Sequence, residues 1–502
     1  MNSDSNNRPP NFLVIMSDEH GAKYSSAYRH PLIQTPAMDR LAEEGVTFDS
    51  AYCNAPLCVP SRICFMTGQH NSRCRGWDNA VPMRNDAMTW PYLLRSEGYD
   101  VVLSGKMHLV GLDHLHGFDR QLARDLHADI PHPIYLWENG IPEAKEPWAS
   151  VFETGQGLQG MEEQATTMPK EMQKRTKIPT GAGTTVEIEL DDKAETAAVA
   201  YLKDPARQEQ PFALCVGLIA PHFPFVVPEP YFSDYYPEKT DLPNIPEGHL
   251  DNLPPAAQRL RAAFGFWGHT EEQIKRARAA YYGLISYVDD KITNLLNTLE
   301  AAGLAENTVV IYTSDHGEML GEHGIWRKMC FYEESAKIPL QIRWPGVAPK
   351  GDRIEKCVSL NDVTATILQV GGVSTDEQKS LWHVDGDTLA PLIDGKTDDW
   401  KDEALAQHNA HGTDRPRAML RTGKWKLCCG YGDPLELELY DLDSDPGEFD
   451  NLADNPGSSQ IKETLLKRLT AQWDGERVAH EVKVSQAERF RIRALEPATR
   501  LF

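Results

Sequence analysis

Charged and histidine side chains follow directly after several short apolar runs of the chain. They are Asp18 and Glu19, Lys106 and His108, His222, and Asp315 and His316. Carboxylates and imidazoles bind divalent cations, lysines neutralise anionic oxygens, and histidines transfer protons. Together they supply the residue types that a metal site, an anion site and an acid catalyst need. Taken singly, each fits a helix cap, a surface pair or a structural histidine equally well.

A further group of candidate residues lies in the stretch from Cys58 to Arg62, which contains Pro60. Proline is typical of a first helical turn, so we expect the free N–H groups of a helix start to face Cys58. The helix start and Arg62 both create positive potential, which lowers a thiol pKa, and Cys58 could therefore be a reactive thiol. A small core cysteine beside a turn proline is the alternative that these residues leave open.

The apolar runs that precede these side chains are typical of strands buried on both faces. They cover residues 12–16, 98–105, 211–220 and 307–313. Open α/β sheets place their ligands at the carboxyl ends of such strands. We therefore expect the candidate side chains to converge on one sheet edge, with the helix that starts near Cys58 pointing its amides there.

The remaining pattern predicts helices at 36–44, 191–204, 270–303 and 461–473, a further strand at 338–345, and a hairpin built from 418–428 and 435–440. The polar segment 138–185 is long for a plain connection and is typical of a lid or binding loop. Composition shifts between residues 371 and 399. We therefore expect a catalytic domain over 1–385 and a C-terminal α+β subdomain with a tail over 386–502.

The bulk composition excludes some classes of partner. A formal charge of -23 over 502 residues argues against nucleic acid, because binding phosphates needs a basic surface. The sequence shows no apolar run of membrane-spanning length and no cleavable signal, so we expect no membrane partner and a cytoplasmic location. Nine scattered cysteines form no evident disulfide framework, which suits reduced thiols.

Longer strings resemble the type I sulfatases of the alkaline phosphatase superfamily. Cys58-x-Pro60-Ser61-Arg62 followed by Thr67-Gly68 resembles their first signature, and residues 98–108 resemble the second, with Val101 where Ser or Thr is usual. Residues 313–329 are a further match, nearest the choline sulfatase branch. The resemblance implies an α/β fold with a large mixed, mostly parallel sheet between helices, and a small C-terminal antiparallel sheet plus helix.

The resemblance also implies a set of residue roles. Cys58 would be oxidised to formylglycine by a dedicated generating enzyme, a transient partner. One divalent metal ion, Ca²⁺ or Mn²⁺, would be held by Asp18, Glu19, Cys58, Asp315 and His316. Catalytic or anchoring roles fall to Arg62, Lys106, His108, His222 and Lys328, and a weaker likeness makes Asn79 a substrate contact. Glu19 and His316 depart from the family's usual ligands, and an imidazole favours manganese or another transition metal.

The resemblance implies a sulfatase that hydrolyses a small sulfate monoester, aryl or choline sulfate-like, through the formylglycine hydrate on the metal. A phosphonate monoester or phosphodiester hydrolase with the same site is the alternative. A third hypothesis is a catalytically silent metal-binding or assembly protein whose Cys58 stays a thiol. We also expect a homo-oligomer.

Overall fold

The computed structural model of the chain describes residues 8–125, 134, 136–137, 144, 180–374 and 383–495. The predicted lid segment 138–185 therefore lies outside the described residues except at 144 and 180–185. The strands, in chain order, are β1 (Asn11–Asp18), β2 (Val46–Tyr52), β3 (Asp100–Gly105), β4 (Arg120–Gln121), β5 (Gly181–Ala182), β6 (Phe212–Pro221), β7 (Val226–Val227), β8 (Thr308–Ser314), β9 (Leu340–Arg343), β10 (Asp352–Ser359), β11 (Glu403–His408), β12 (Arg417–Thr422), β13 (Trp425–Gly430) and β14 (Glu436–Asp441).

The α-helices of the described residues flank these strands. They are α1 (Pro36–Glu44), α2 (Cys58–Thr67), α3 (Asn71–Cys74), α4 (Trp90–Ser96), α5 (Val186–Leu202), α6 (Pro255–Phe264), α7 (Glu271–Ala301), α8 (Glu333–Ala336), α9 (Leu360–Val370), α10 (Ala390–Ile393), α11 (Ser459–Gln472) and α12 (Gly475–Leu495). Within the part of the chain that the structure describes, no helix has both the length and the apolar character needed to cross a bilayer.

A central sheet with the strand order β10-β2-β9-β8-β1-β6-β3-β4 organises the larger part of the described chain. Only β9 among these strands runs antiparallel to its neighbours, β8 and β2. The predicted mixed, mostly parallel sheet is therefore confirmed. The strand ends that carry the candidate side chains lie side by side, because β8, β1, β6 and β3 are consecutive in the sheet.

Both faces of this sheet are covered, which explains why β1 is apolar along its length. Leu13 and Ile15 pack in one apolar cluster with the long helix α7, whereas Val14 and Met16 pack in a second cluster on the other face. The second cluster includes residues of α2, α9 and the C-terminal sheet. All eight residues of β1 are buried, as a strand sandwiched between helices must be.

The C-terminal region forms a four-stranded antiparallel sheet in the order β11-β12-β13-β14. The predicted small antiparallel sheet is confirmed, but the predicted hairpin was wrong in detail. Residues 417–430 already turn back on themselves at Gly423, whose φ of 52° suits the turn, and β11 was not foreseen. The proposed boundary between residues 385 and 386 stays a prediction.

Several helices differ from the sequence-based prediction, including α4, α6 and α9, which it did not contain. Helix α5 starts at Val186 rather than 191, because Thr185 caps it by accepting a hydrogen bond from the Ile188 amide at 3.5 Å. Helix α12 was missed, because its arginine-rich sequence lacks a clear apolar stripe. Within the predicted tail, α12 places Arg489 in a bidentate ion pair with the buried Asp78, at 2.7 and 2.8 Å.

Candidate active site

Cys58 is the first residue of α2 and is buried against the carboxyl ends of the central strands. Only 1% of its surface is exposed. The neighbouring Val59 amide donates to the Oδ1 atom of Asn79 at 3.1 Å, and the Ser61 hydroxyl donates to the Asp315 carbonyl at 2.5 Å. The helix starts two residues before Pro60, slightly earlier than predicted, and it holds Cys58 at the edge where β1 and β8 end.

Arg62 joins the ends of three strands. Its Nε atom donates to Asp315 at 2.8 Å, its Nη2 atom to Asp18 at 3.0 Å, and its Nη1 atom to the carbonyl oxygen of Lys106 at 3.1 Å. The guanidinium is fully buried, as are both carboxylates. Arg62 therefore fixes the two acids relative to each other and to the end of β3.

Four of the five predicted metal ligands form one tight group. One ligand atom each from Asp18, Cys58, Asp315 and His316 lies within 4.8 Å of all the others. The Cys58 sulfur is 3.3 Å from Nε2 of His316 and 3.8 Å from Oδ1 of Asp18. Two carboxylates, an imidazole and a fourth buried ligand atom within this distance are a donor set that suits one divalent cation.

Glu19, the fifth predicted ligand, lies beside this group. It forms a second cluster with Asp18 and His222, again within 4.8 Å. One carboxylate oxygen of Glu19 is 3.0 Å from Nζ of Lys328, and the other is 3.3 Å from Nε2 of His222. The Tyr281 hydroxyl donates to the Glu19 carbonyl at 2.6 Å and holds a backbone with a φ of 69°.

The surroundings shift the pKa values of the three buried acids in different directions. Burial raises the pKa of Asp18, but Lys106, His222 and Arg62 outweigh it and hold the pKa well below its usual range. Burial also raises the pKa of Asp315, and the pairing with Arg62 does not fully offset it. Burial raises the pKa of Glu19 to about 8 despite the nearby Lys328.

The Cys58 thiol is not the low-pKa thiol that its helix position suggested. Burial and the nearby carboxylate of Asp18 raise its pKa to about 12, and Lys328 and Lys106 lower it less than that. The predicted lowering of the Cys58 pKa was therefore wrong, because desolvation outweighs the positive potential of the helix and the lysines. A thiol in this state is a poor nucleophile near neutral pH.

His222, Lys106 and Lys328 surround the metal-ligand group. Nζ of Lys106 is 2.8 Å from Oδ2 of Asp18. The Nδ1–H group of His222 donates to the Phe223 carbonyl at 2.6 Å, which turns Nε2 towards Glu19 and Asp18. The structure thus brings all three predicted side chains to the edge that holds Cys58.

His108 lies at the end of β3, two residues after Lys106, and its φ of 58° is unusual for a non-glycine residue. The buried carboxylate of Asp125 accepts the Met107 amide at 3.0 Å and the His108 amide at 2.5 Å. Asp125 was not predicted from sequence, since no motif marks it. The buried Glu318 was also missed, although this residue lies inside the 313–329 string.

Two glycines allow the backbone of Lys106 to approach β6 closely. Gly105 pairs with Gly217 in the sheet register. A Cβ atom at Gly217 would lie 1.7 Å from the Lys106 carbonyl oxygen, the same oxygen that accepts a hydrogen bond from Arg62. The position of Lys106 therefore depends on the absence of a side chain at residue 217.

Comparison with known protein families adds independent information. Residues 10–373 match the family model described as Sulfatase, and residues 321–474 match the model described as N-sulphoglucosamine sulphohydrolase, C-terminal. A choline-sulfatase of Rhizobium meliloti (strain 1021) is 33% identical over 495 residues, which cover 96% of this chain and 90% of the relative.

Two further similar proteins differ in the activity that their names give. An N-acetylglucosamine-6-O-sulfatase of Bacteroides thetaiotaomicron is 29% identical over 493 residues, covering 92% of this chain and 85% of the relative. The crystal structure of the phosphonate monoester hydrolase of Agrobacterium radiobacter has a TM-score of 0.71 at 24% identity, with 92% and 95% of the two chains covered. The last likeness shows the fold alone.

Proposed function

This chain belongs to the sulfatase family, and we propose that it hydrolyses a small sulfate monoester, aryl or choline sulfate-like, to an alcohol or phenol and inorganic sulfate. Family membership makes it a sulfuric ester hydrolase. The observation that carries the narrower proposal is the position of Cys58, buried within a divalent-cation donor set whose acids and neighbour Glu19 pair with the cations Arg62, Lys106 and Lys328. A sulfate ester is an anion, and such a site neutralises its charge.

Asp18, Asp315, His316 and residue 58, with Glu19 beside them, would hold one divalent cation. When bound, that cation polarises oxygen atoms of nucleophile and ester. Conversion of Cys58 to formylglycine would supply a hydrated aldehyde, which puts an oxygen nucleophile in the place of the inactive thiol. Ca²⁺ suits the carboxylates, and Mn²⁺ suits the imidazole of His316 better.

In this proposal, side chains of the protein bind the sulfate, transfer protons and position the acids. Lys106 and Lys328 face the sulfate oxygens and offset their charge. His222, fixed by its hydrogen bond to the Phe223 carbonyl, presents Nε2 for delivery of a proton to the departing alcohol oxygen. Arg62 keeps Asp18 and Asp315 in place, and His108 acts as a base late in the cycle. Asn79, next to the first amides of α2, contacts the ester.

The first test is mass spectrometry of the peptide that contains residue 58, from protein made in its own host. We expect a residue that has lost its thiol and carries an aldehyde. Protein that stays wholly cysteine after production together with a formylglycine-generating enzyme would instead support the silent metal-binding hypothesis.

A phosphonate monoester or phosphodiester hydrolase remains the second candidate, because the named phosphonate hydrolase shares the fold. Rates on an aryl sulfate and on an aryl phosphonate with the same phenol separate the two activities. We expect a higher kcat/KM for the sulfate. A dominant phosphonate rate would contradict the proposal.

Activity should also disappear on dialysis against a chelator and return with Ca²⁺ or Mn²⁺.

A further inference from the structure

Two cysteine side chains, one in α2 and one in α3, lie with their sulfur atoms in contact. Sγ of Cys64 is 3.8 Å from Sγ of Cys74, and both residues are free thiols. The sulfur atoms of a disulfide are about 2 Å apart, so a bridge requires an approach of roughly 2 Å. Rotation about the Cα–Cβ bond of one cysteine moves its sulfur by this much. The pair is therefore close enough to form a disulfide.

Hydrogen bonds outside the pair hold Cys74 in its position. The Cys74 amide donates to the His70 carbonyl at 3.1 Å, and the Ser72 amide donates to the side chain of Gln407 in β11 at 2.7 Å. Cys64 lies in the interior of α2 and is fully buried. Both cysteines belong to helices that are hydrogen-bonded or packed on every side, so the short distance between the two sulfur atoms is a fixed feature of the fold.

The two thiols differ in their access to solvent. Cys74 is partly exposed and lies between Arg73 and Arg75, whose side chains are half-exposed, whereas Cys64 is fully buried. Burial raises the pKa of the Cys64 thiol well above its usual value, and the hydrogen bond with the Cys74 sulfur adds to the rise. A dissolved oxidant therefore reaches Cys74 first, and Cys64 reacts with the sulfur beside it.

We propose that Cys64 and Cys74 are a modification site, at which a reversible disulfide forms by exchange with a low-molecular-weight disulfide such as oxidised glutathione. The Cys74 thiolate attacks one sulfur of this oxidant, which releases one small thiolate and leaves a mixed disulfide on Cys74. The Cys64 sulfur then attacks the Cys74 sulfur and releases the second small thiolate. The two cysteine protons pass to the released thiolates. Two cysteines are thus oxidised, and one small disulfide is reduced to two thiols.

The bridge would fasten the helix whose first residue is Cys58. It would close the loop 64–74 and join α2 to α3, which restricts the conformations of the unfolded chain. For a loop of this length in a protein of this size, we expect the Tm of the bridged protein to exceed that of the reduced protein by about 3 °C.

Peptide mapping of the folded protein tests this inference. The protein is incubated with oxidised glutathione, its remaining thiols are blocked with N-ethylmaleimide in denaturant, and it is digested with trypsin without reduction. Cleavage after Arg62, Arg73 and Arg75 puts the two cysteines on separate peptides, 63–73 and 74–75. We expect these two peptides to be joined. They should be separate when the oxidised protein is treated with an excess of reduced glutathione before it is blocked.

The neighbouring cysteines of β13 are an internal control. Cys428 and Cys429 are both buried and pack in different apolar clusters, so both should stay thiols under the same treatment. The variant Cys64→Ala should stop at the mixed disulfide of Cys74 with glutathione. The variant Cys74→Ser should take up no glutathione at Cys64 and show no rise in Tm.

Two results from the wild-type protein would overturn the inference, and neither needs a variant to fold. One is a Cys74 that stays a thiol or stops at the mixed disulfide. The other is a bridge from Cys64 or Cys74 to a different cysteine, such as the buried Cys53. A bridged protein with an unchanged Tm would refute the stabilising effect. None of these measurements uses ester turnover, so their outcome is independent of the proposed function.

Discussion

At the scale of single residues, Cys58 is the position on which turnover should depend most. Cys58→Ala removes the side chain from which the proposed nucleophile is made, so we expect no detectable turnover. The fold should survive, at a cost of about 1 kcal/mol for the lost buried sulfur. Enzyme assays and urea unfolding measure the two effects. Cys64→Ala, another buried cysteine of α2, should keep the wild-type activity, and full activity of Cys58→Ala would refute the proposed mechanism.

Asp100 gives a pH dependence that is independent of the active site. It accepts hydrogen bonds from Arg120 at 2.6 and 2.9 Å and from Tyr201 at 2.9 Å. Burial raises the pKa of Asp100, but these donors outweigh it and lower the pKa below its usual value. The stability that Asp100 contributes is therefore fully present above pH ~4 and is lost as pH falls through the lowered folded-state pKa.

Asp100→Asn should accordingly lower the free energy of unfolding at pH 7 by about 2 kcal/mol. The variant should also show a flatter loss of stability below pH ~4. Urea unfolding at several pH values between 7 and 3 tests both expectations. Asp86→Asn is the control, because Asp86 also forms a bidentate pair with an arginine, Arg84, but on an exposed loop. If the free energy of unfolding falls equally steeply below pH ~4 in wild type and in Asp100→Asn, this pH dependence does not come from Asp100.

At the scale of secondary-structure elements, the close approach of β3 and β6 places Lys106. Gly217→Ala would force the Lys106 carbonyl away from β6. This shift would also disturb the hydrogen bond that the carbonyl accepts from Arg62. We expect kcat to fall about 100-fold, as a shift of about 1 Å at reacting groups can cause, and the stability to fall by about 2 kcal/mol. Unchanged kcat would show that Lys106 tolerates displacement.

Gly457→Ala is the matched control for this change. Among the residues that the structure describes, a Cβ atom at Gly457 would meet only the Asn455 side chain, at 3.3 Å. Activity and stability should therefore stay close to wild type. Steady-state kinetics and urea unfolding on both glycine variants separate a displaced Lys106 from a general intolerance of alanine.

Elements were predictable from sequence where one local pattern decided them. The buried runs that became β1, β3, β6 and β8 were found because a short, fully apolar run that ends in charged residues is typical of a buried parallel strand. Helix α1 was predicted with its correct bounds from Pro36 and Gly45. Helix α12 and strand β11 were missed, because tertiary contacts rather than local pattern define them.

The residues of the candidate site were predictable from sequence, but their contacts and pKa shifts were not. The motif residues converge on one edge, and four of the five predicted ligands form one group. Sequence could not reveal that Glu19 pairs with Lys328 and His222, nor that burial raises the pKa of the Cys58 thiol to about 12. Desolvation depends on everything packed around a group, and no local motif encodes it.

At the scale of the whole molecule, one lysine ties the C-terminal sheet to the larger part. Lys426 of β13 is fully buried, and its Nζ atom lies 2.7 Å from both Glu333 and Glu448. Lys426→Met would remove the cation that the buried Glu448 and the partly buried Glu333 share, and would leave Glu333 with Lys337 at 3.7 Å. We expect a loss of about 3 to 5 kcal/mol in the free energy of unfolding.

Lys424→Met is the control for this prediction. Lys424, in the turn before β13, pairs with Asp441 at the end of β14, but its side chain is 44% exposed. Exposed pairs contribute little, so the loss should stay below about 1 kcal/mol. In thermal and urea unfolding, Lys426→Met should be far less stable than Lys424→Met. Equal losses of stability would mean that the buried cluster does not join the two sheets.

The burial of Cys58 has a consequence for the order of events in protein synthesis. Cys58 leaves the ribosome well before Asp315 and His316, which lie beside it in the folded chain, are made. In the folded chain only 1% of its surface is exposed, which is too little for the active site of another enzyme to reach the side chain. The conversion proposed for Cys58 must therefore take place in that interval, and a chain that folds first would keep its thiol permanently.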